Sequence, residues 1–279
     1  MNIVAEVGIN YAFGDDTSNF LKNVKDLIDI AAVSGCTHVK FQKRNPDVAV
    51  PESKKNSPKK VPWRREEITY LKYKKDIEFS LSDMRELFQY SKERGLVPFV
   101  SVWDKSSIQD MKFLSRMIKI PSAKLTDWDL LHSTRKEYEF RILSTGMSTE
   151  EEIEKAVDIL DPQVIMHTNS TYPTPVEDLN MGYILHLKEK YPDKEIGFSN
   201  HAYGVEPLIA SVFLGITWVE FHITLKHELW GSDQKSSVEP VGVFKVVKGL
   251  RDLELAIGKG NESRILYPGE ENKRESLRG

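Results

Sequence analysis

Eight short apolar runs, each followed by a stretch of helical spacing, occupy most of this chain, and that alternation limits its fold more than any other feature. The runs cover residues 3–9, 38–42, 97–102, 117–120, 140–145, 164–168, 196–199 and 218–223. Rich in Val, Ile and Phe, they read as strands buried on both faces, the pattern of a parallel sheet. Between them, Leu21, Val24, Leu27, Ile28 and Ala31 recur at helical spacing, and Gly35 follows where that helix would be capped. Ser148 or Thr149 precedes Glu150, Glu151 and Glu152, whose charge suits a helix N-terminus, and Ala156, Val157 and Leu160 continue an apolar stripe. Eight such units are what a closed barrel requires, so the expected fold class is α/β, a (β/α)8 TIM barrel.

Length agrees with that reading. At 279 residues, 40% hydrophobic and 29% charged, the chain can bury a large core, as one big domain or two small ones, and single-domain barrels run to this length. Its 39 basic and 42 acidic residues give a net charge of −3, which offers no global field for nucleic acid or an anionic membrane. Cys36 has no second cysteine to pair with. Met1 runs directly into a strand-like segment, with neither a leader nor an apolar stretch of membrane-spanning length, so the expected location is cytoplasmic.

One connection is unusually long. After the second run, residues 43–78 carry Pro46, Pro51, Pro58 and Pro62 with little apolar periodicity, and such loops commonly cover or bind ligands. Eleven Lys/Arg against six Asp/Glu give this segment a net +5. A cationic cover over the strand ends would favour an anionic substrate; the plainer alternative is a solvated surface loop.

In a barrel of this kind active sites form at the C-terminal ends of the strands. Those ends hold Glu6 and Asn10, Lys40 and Gln42, Lys119 and Ser122, Ser144 and Thr145, and then Ser170 and Tyr172. Lys40 and Lys119 each sit among apolar neighbours, where an ammonium is rarely buried without a partner. Two lysines converging on one mouth suit recognition of phosphate plus carboxylate, whereas a structural reading pairs each with Glu6 or Glu220. Gly146 would let backbone amides approach an anion.

Among seven histidines, His201 and His222 close neighbouring runs and can share one metal ion. Glu220 and Asp233 are near enough in sequence to add oxygen ligands or to support the rings. Two imidazoles fall short of the three protein ligands usual for catalytic zinc, so water and substrate oxygens would complete the sphere, favouring manganese or magnesium. His38, His132, His186 and His227 read as structural or surface residues, and His167 as a hydrogen-bonded position within the barrel.

The strings Ala5-Glu6-Val7-Gly8-Ile9-Asn10, Lys40-Phe41-Gln42, Lys119-Ile120-Pro121-Ser122, Leu143-Ser144-Thr145-Gly146-Met147, Ser170-Thr171-Tyr172-Pro173, Gly197-Phe198-Ser199-Asn200-His201 and Glu220-Phe221-His222-Ile223-Thr224-Leu225 follow one another at consecutive strand ends. In order and spacing they resemble the sialic acid synthase (NeuB-like) family over almost the whole chain. The resemblance implies a phosphoenolpyruvate-dependent, C–C bond-forming transferase acting on the open-chain aldehyde of N-acetylmannosamine or a related amino sugar. It also implies roles: Lys40, Lys119, Ser122, Ser144, Ser170 and Ser199 hold phosphoenolpyruvate, and His201 and His222 bind the divalent ion. Glu6, Gln42, Tyr172 and Asp233 face the sugar, with Glu6 among the groups that handle protons.

Departures from the family pattern are specific. Lys124 replaces a carboxylate, Val102 a threonine, Ser170 an asparagine and Asn200 an aspartate. Together they point to a sugar other than, or in addition to, N-acetylmannosamine. The expected organisation is a catalytic barrel over 1–258 and a charged tail over 259–279, without the C-terminal antifreeze-like domain of many members. The resemblance favours a homodimer. Two other readings stand beside the synthase: another metal-dependent barrel aldolase or 3-deoxy-ulosonate synthase, and a non-catalytic sugar-binding barrel.

Overall fold

The computed structural model describes residues 1–258 and 263–278. Eight parallel strands close on themselves: β1 (Asn2–Glu6), β2 (His38–Lys43), β3 (Val97–Val102), β4 (Met117–Ile120), β5 (Phe140–Ser144), β6 (Val164–Thr168), β7 (Glu195–Asn200) and β8 (Trp218–His222). Each pairs with its neighbours in sequence, and β1 pairs with β8 to complete the ring. A helix follows every strand: α1 (Phe20–Val33), α2 (Leu81–Glu93), α3 (Lys105–Met111), α4 (Trp128–Glu137), α5 (Glu150–Leu160), α6 (Tyr183–Lys190), α7 (Glu206–Ala210) and α8 (Pro240–Ile257). This is the expected (β/α)8 barrel.

Local chemistry sets the helix starts. Ser80 and Asp83 form a reciprocal capping box on α2, as do Thr149 and Glu152 on α5, satisfying backbone N–H groups that the first turn leaves unpaired. The inward stripe of α1, including Val24, Leu27, Ile28 and Ala31, is fully buried against the outside of the barrel. Inside the barrel, Val4, Phe99, Ile142, Val164, Met166 and Trp218 form a separate apolar plug beneath the C-terminal strand ends. The plug closes the lower barrel, so polar chemistry is confined to the mouth.

Strand ends differ from the sequence reading in identifiable places. The first run was expected to reach residue 9, but β1 stops at Glu6 because Gly8, at φ +54°, turns the chain. β5 ends at Ser144 instead of residue 145 and β8 at His222 instead of 223, while β7 extends to Asn200. The 43–78 connection, expected as a cationic cover or a solvated surface loop, carries small elements of its own. It holds short helices at Pro46–Ala49, Glu52–Lys55 and Tyr70–Asp76 and a small antiparallel pair, Pro58–Lys59 with Ile68–Thr69. Many of its cations are consumed internally, Lys43 and Arg44 by Glu78, Arg64 and Lys72 by Asp76, and Lys75 by Asp47.

Beyond α8, residues 268–278 of the expected tail form an exposed helix, Pro268–Arg278. Residues 259–262 and 279 of that tail, with the expected boundary at 258/259, lie outside the described residues. No helix among the described residues is long and apolar enough to cross a membrane.

His38, at the foot of β2, packs beside Trp218 and Phe99 with ring centroids 4.9 and 6.1 Å away. Burial lowers its pKa to about 4. The unfolded chain protonates this ring near pH 6.5, so its stabilising contribution is complete above that value and is lost as pH falls towards 4. The loss over that window is at most about 3 kcal/mol. Guanidinium denaturation near pH 7 and pH 5 is expected to show a shallower decline for His38→Asn than for the parent. Equal declines would assign the acid sensitivity to other groups.

Candidate active site

Alternation along each strand turns every second side chain into the barrel, which brings Glu6, Lys40, Gln42, Lys119, Ser199, Glu220 and His222 to one mouth. The register sets their neighbours. Glu6 stands level with Lys40 on one side and His222 on the other, and Glu220 is level with Ser199.

Two lysines and two carboxylates form a buried lattice. Lys40 Nζ lies 2.7 Å from Glu6 Oε2 and 3.4 Å from Glu220 Oε1, while Lys119 Nζ donates to the same Glu220 oxygen at 2.7 Å. Gln42 Nε2 donates to Glu6 Oε1 at 2.9 Å, and Ser199 Oγ to Glu220 Oε1 at 3.2 Å. All four charged residues are less than 5% exposed, which makes each charge costly unless paired. Burial would push Glu220 up, but Lys119 and Lys40 outweigh it and hold the carboxyl at about 2. Lys119 is driven down by burial despite Glu220, whereas Glu220 and Glu6 together overcome burial and raise Lys40. Both sequence readings of the lysines therefore meet in one structure: they converge, and they are paired.

The imidazoles of His201 and His222 stand beside this lattice, their ring centroids 5.4 Å apart. His201 Nδ1–H donates to the Asn169 carbonyl at 2.6 Å, so Nε2 carries the lone pair, which accepts from the Tyr172 hydroxyl at 2.8 Å. Burial first, with the His222 ring and Lys119, keeps His201 neutral, its pKa lowered to about 3. The Tyr172 ring lies 4.1 Å from His201 and 5.8 Å from His222, capping both. His222 Nδ1 is buried and accepts no hydrogen bond. A side chain at position 8 would bring Cβ to 3.0 Å from that nitrogen, so Gly8 serves the site as well as the turn.

Ser122, Ser144, Ser170 and Ser199 complete the lining, together with Ser101, Trp103 and Met147. Gly146 is forced by their convergence: a Cβ there would lie 2.2 Å from Ser170 Oγ and 2.8 Å from Ser122 Oγ. Its amide, expected to face an anion, donates to Ser122 Oγ at 3.0 Å. The cavity measures about 160 Å³. A larger hollow of about 490 Å³ opens beside it across Met147 and Ser170 but contains neither the lysines nor the histidine pair.

Several expectations change. Asp233 does not line the cavity; its Oδ2 lies 3.9 Å from His222 Nδ1. Glu220 is turned to the lysines and is not an oxygen ligand beside the histidines. Lys124, which replaces a family carboxylate, pairs with Asp127 at 3.3 Å outside the cavity. Asn10 is structural, donating to the Ile223 carbonyl and Ser237 Oγ. Trp103, given no role from the sequence, lines the cavity with Nε1 buried and unpartnered, and Arg44 stacks on its ring at 4.8 Å. Its place two residues past the inward Ser101 was the available signal.

Fold and cavity define the class: a barrel enzyme whose strand ends gather buried cations, hydroxyls and a histidine pair. Matching the NeuB family model over residues 27–262, the chain belongs to the NeuB family. It is 29% identical to the N,N'-diacetyllegionaminic acid synthase of Campylobacter jejuni, covering 92% of this chain and 78% of that protein. It is also 29% identical to the human N-acetylneuraminate-9-phosphate synthase, over 99% of this chain and 76% of the relative. Among solved structures, an N-acetylneuraminic acid synthetase from Leptospira borgpetersenii superposes with a TM-score of 0.83 at 27% identity, over 99% of this chain and 92% of that one.

Proposed function

We propose that this chain condenses phosphoenolpyruvate with the open-chain aldehyde of N-acetylmannosamine or a related amino sugar, releasing phosphate and giving a nonulosonic acid. The observation that carries the reading is one cavity bordered by Lys40, Lys119, Glu6 and Glu220 together with His201 and His222.

Charge supports it. Two ammoniums and two carboxylates cancel, so these four side chains bring no net charge to meet a phosphate ester with a carboxylate, which carries about −3 at neutral pH. A divalent ion fits that deficit, and the imidazoles fit the ion. His222 Nδ1 is buried without a partner, and His201 is held in the tautomer that leaves its lone pair on Nε2, where the Tyr172 hydroxyl now donates. Among the described residues no group of three His, Cys, Asp or Glu could hold a metal, so water and substrate oxygens would complete the sphere, as suits manganese or magnesium. When bound, the ion would polarise the aldehyde oxygen.

The remaining work falls to side chains. Lys40 and Lys119 hold the phosphate and carboxylate, with Ser122, Ser144, Ser170 and Ser199 offering hydroxyls, so that the methylene carbon faces the aldehyde carbon. A C–C bond forms between them, water adds to the carbon bearing the phosphate ester, and cleavage of its C–O bond to phosphate leaves the keto acid. Glu6, held by Lys40 and Gln42, takes the proton from that water and returns it to the alkoxide left on the former aldehyde carbon, while the hydroxyl proton released as the keto group forms leaves with phosphate. Gln42 and Tyr172 border the sugar.

Incubation with phosphoenolpyruvate, manganese and a panel of N-acylated hexosamines tests the reading by phosphate assay and product mass. One phosphate per keto acid is expected, with none when the ion or the sugar is omitted. Phosphate release that needs neither, or none with any acceptor, would overturn it.

A further inference from the structure

Trp103 is the one tryptophan among the described residues whose indole nitrogen is buried without a partner. Elsewhere the chain satisfies this group: Trp63 Nε1 donates to Asp76 at 3.2 Å and Trp218 Nε1 to Glu195 at 2.8 Å. A buried donor left unpaired is destabilising, and an indole N–H donates but cannot accept. Because Trp103 lines the reaction cavity, an acceptor atom of a ligand can supply what the fold does not.

Topology indicates which ligand. β3 stands between β2 and β4 in the ring, and Ser101 is level with Gln42 on one side and with Lys119 on the other. Trp103 lies two residues past Ser101, so it joins the cavity between the strands that carry Lys40 and Lys119. The histidines belong to β7 and β8, which are not neighbours of β3. Both ammoniums are already paired with Glu6 and Glu220, and a neutral donor between them adds a contact to an anion without burying a further charge.

The ring is held before any ligand arrives. Asp104 accepts from Asn45 N at 2.6 Å and from Ser107 N at 2.9 Å, which fixes the chain just past the indole. The Arg44 guanidinium lies 4.8 Å from the ring centre. A cation on the π face draws electron density from the ring, and the N–H becomes a stronger donor.

We infer that Trp103 is a further substrate contact, its Nε1–H donating to an anionic oxygen of phosphoenolpyruvate held by Lys40 and Lys119. The inference rests on the condensation reading for the identity of the ligand. It makes Trp103 a determinant of affinity for phosphoenolpyruvate and not for the acceptor sugar.

Calorimetric titration of phosphoenolpyruvate into the manganese-loaded protein, without sugar, reads the contact independently of turnover. Trp103→Phe keeps an aromatic face for Arg44 but has no donor; Trp103→Leu is a second donor-free variant, and melting temperature shows which of them keeps the parent fold. Phosphoenolpyruvate is expected to bind the folded variant about 20-fold more weakly, the scale of one hydrogen bond to a charged acceptor. In turnover its KM is expected to rise by a similar factor while that of the amino sugar stays within about twofold, a split that general loosening of the structure would not produce. Weakened competition by inorganic phosphate places the bond on the phosphate, weakened competition by pyruvate places it on the carboxylate, and either supports the contact. In the parent alone, one of the five indole N–H resonances is expected to move downfield on adding phosphoenolpyruvate. Unchanged affinity in a folded variant, five unmoved resonances, or a rise in the KM of the sugar instead would overturn the contact. Binding that weakens as expected in a protein that makes no keto acid would leave the contact standing and overturn the condensation alone.

Discussion

His222→Ala is expected to lower phosphate release from phosphoenolpyruvate by about 10³-fold or more, the scale of several kcal/mol of lost charge stabilisation. His222 makes no side-chain hydrogen bond, and its Nδ1 is buried without a partner, so the fold gains little from keeping an imidazole there. The variant should therefore melt close to the parent without divalent ions. The decisive comparison is the rise in melting temperature on adding manganese, present in the parent and absent in the variant. An ion-induced shift that persists in both His222→Ala and His201→Ala would place the cation elsewhere. Lost activity with an unchanged shift would make the ring a contact for substrate.

Glu220→Gln should have the largest effect on stability. The carboxylate neutralises Lys119 at 2.7 Å and Lys40 at 3.4 Å, and both ammoniums are almost wholly buried. Removing its charge leaves Glu6 to balance two cations, at a cost of about 3–5 kcal/mol. Chemical denaturation would read that loss directly. Phosphoenolpyruvate, as proposed, presents its own negative charges to the same lysines, so it should raise the melting temperature of the variant more than that of the parent. Equal shifts would mean that ligand and Glu220 do not exchange for the same ammoniums.

Much of this architecture is legible in the sequence. Runs buried on both faces announce parallel strands without help from tertiary context, and period two along 218–223 sets Glu220 and His222 on the same face. Which carboxylate each lysine takes is not legible, because Lys119 and Glu220 are 101 residues apart and meet only when the ring closes. The end of β1 was over-read since Val7 and Ile9 continue the apolar run, while the turn depends on one residue, Gly8. The small elements in 43–78 escape for another reason. Helices of four residues and strands of two are too short to carry a period. Asp233 was set at the sugar by resemblance, but its carboxylate stands near His222 Nδ1 outside the cavity lining.

Tyr172 gives the histidine pair a built-in competitor. Its hydroxyl already occupies the one lone pair that His201 can offer, and burial keeps the phenol protonated at any physiological pH. Arrival of a cation at that nitrogen and departure of the phenol are thus two descriptions of a single exchange. Apparent ion affinity will include the work of moving the ring, and a sugar that draws the phenol into a new hydrogen bond will tighten the ion by the same free energy that the ion tightens the sugar.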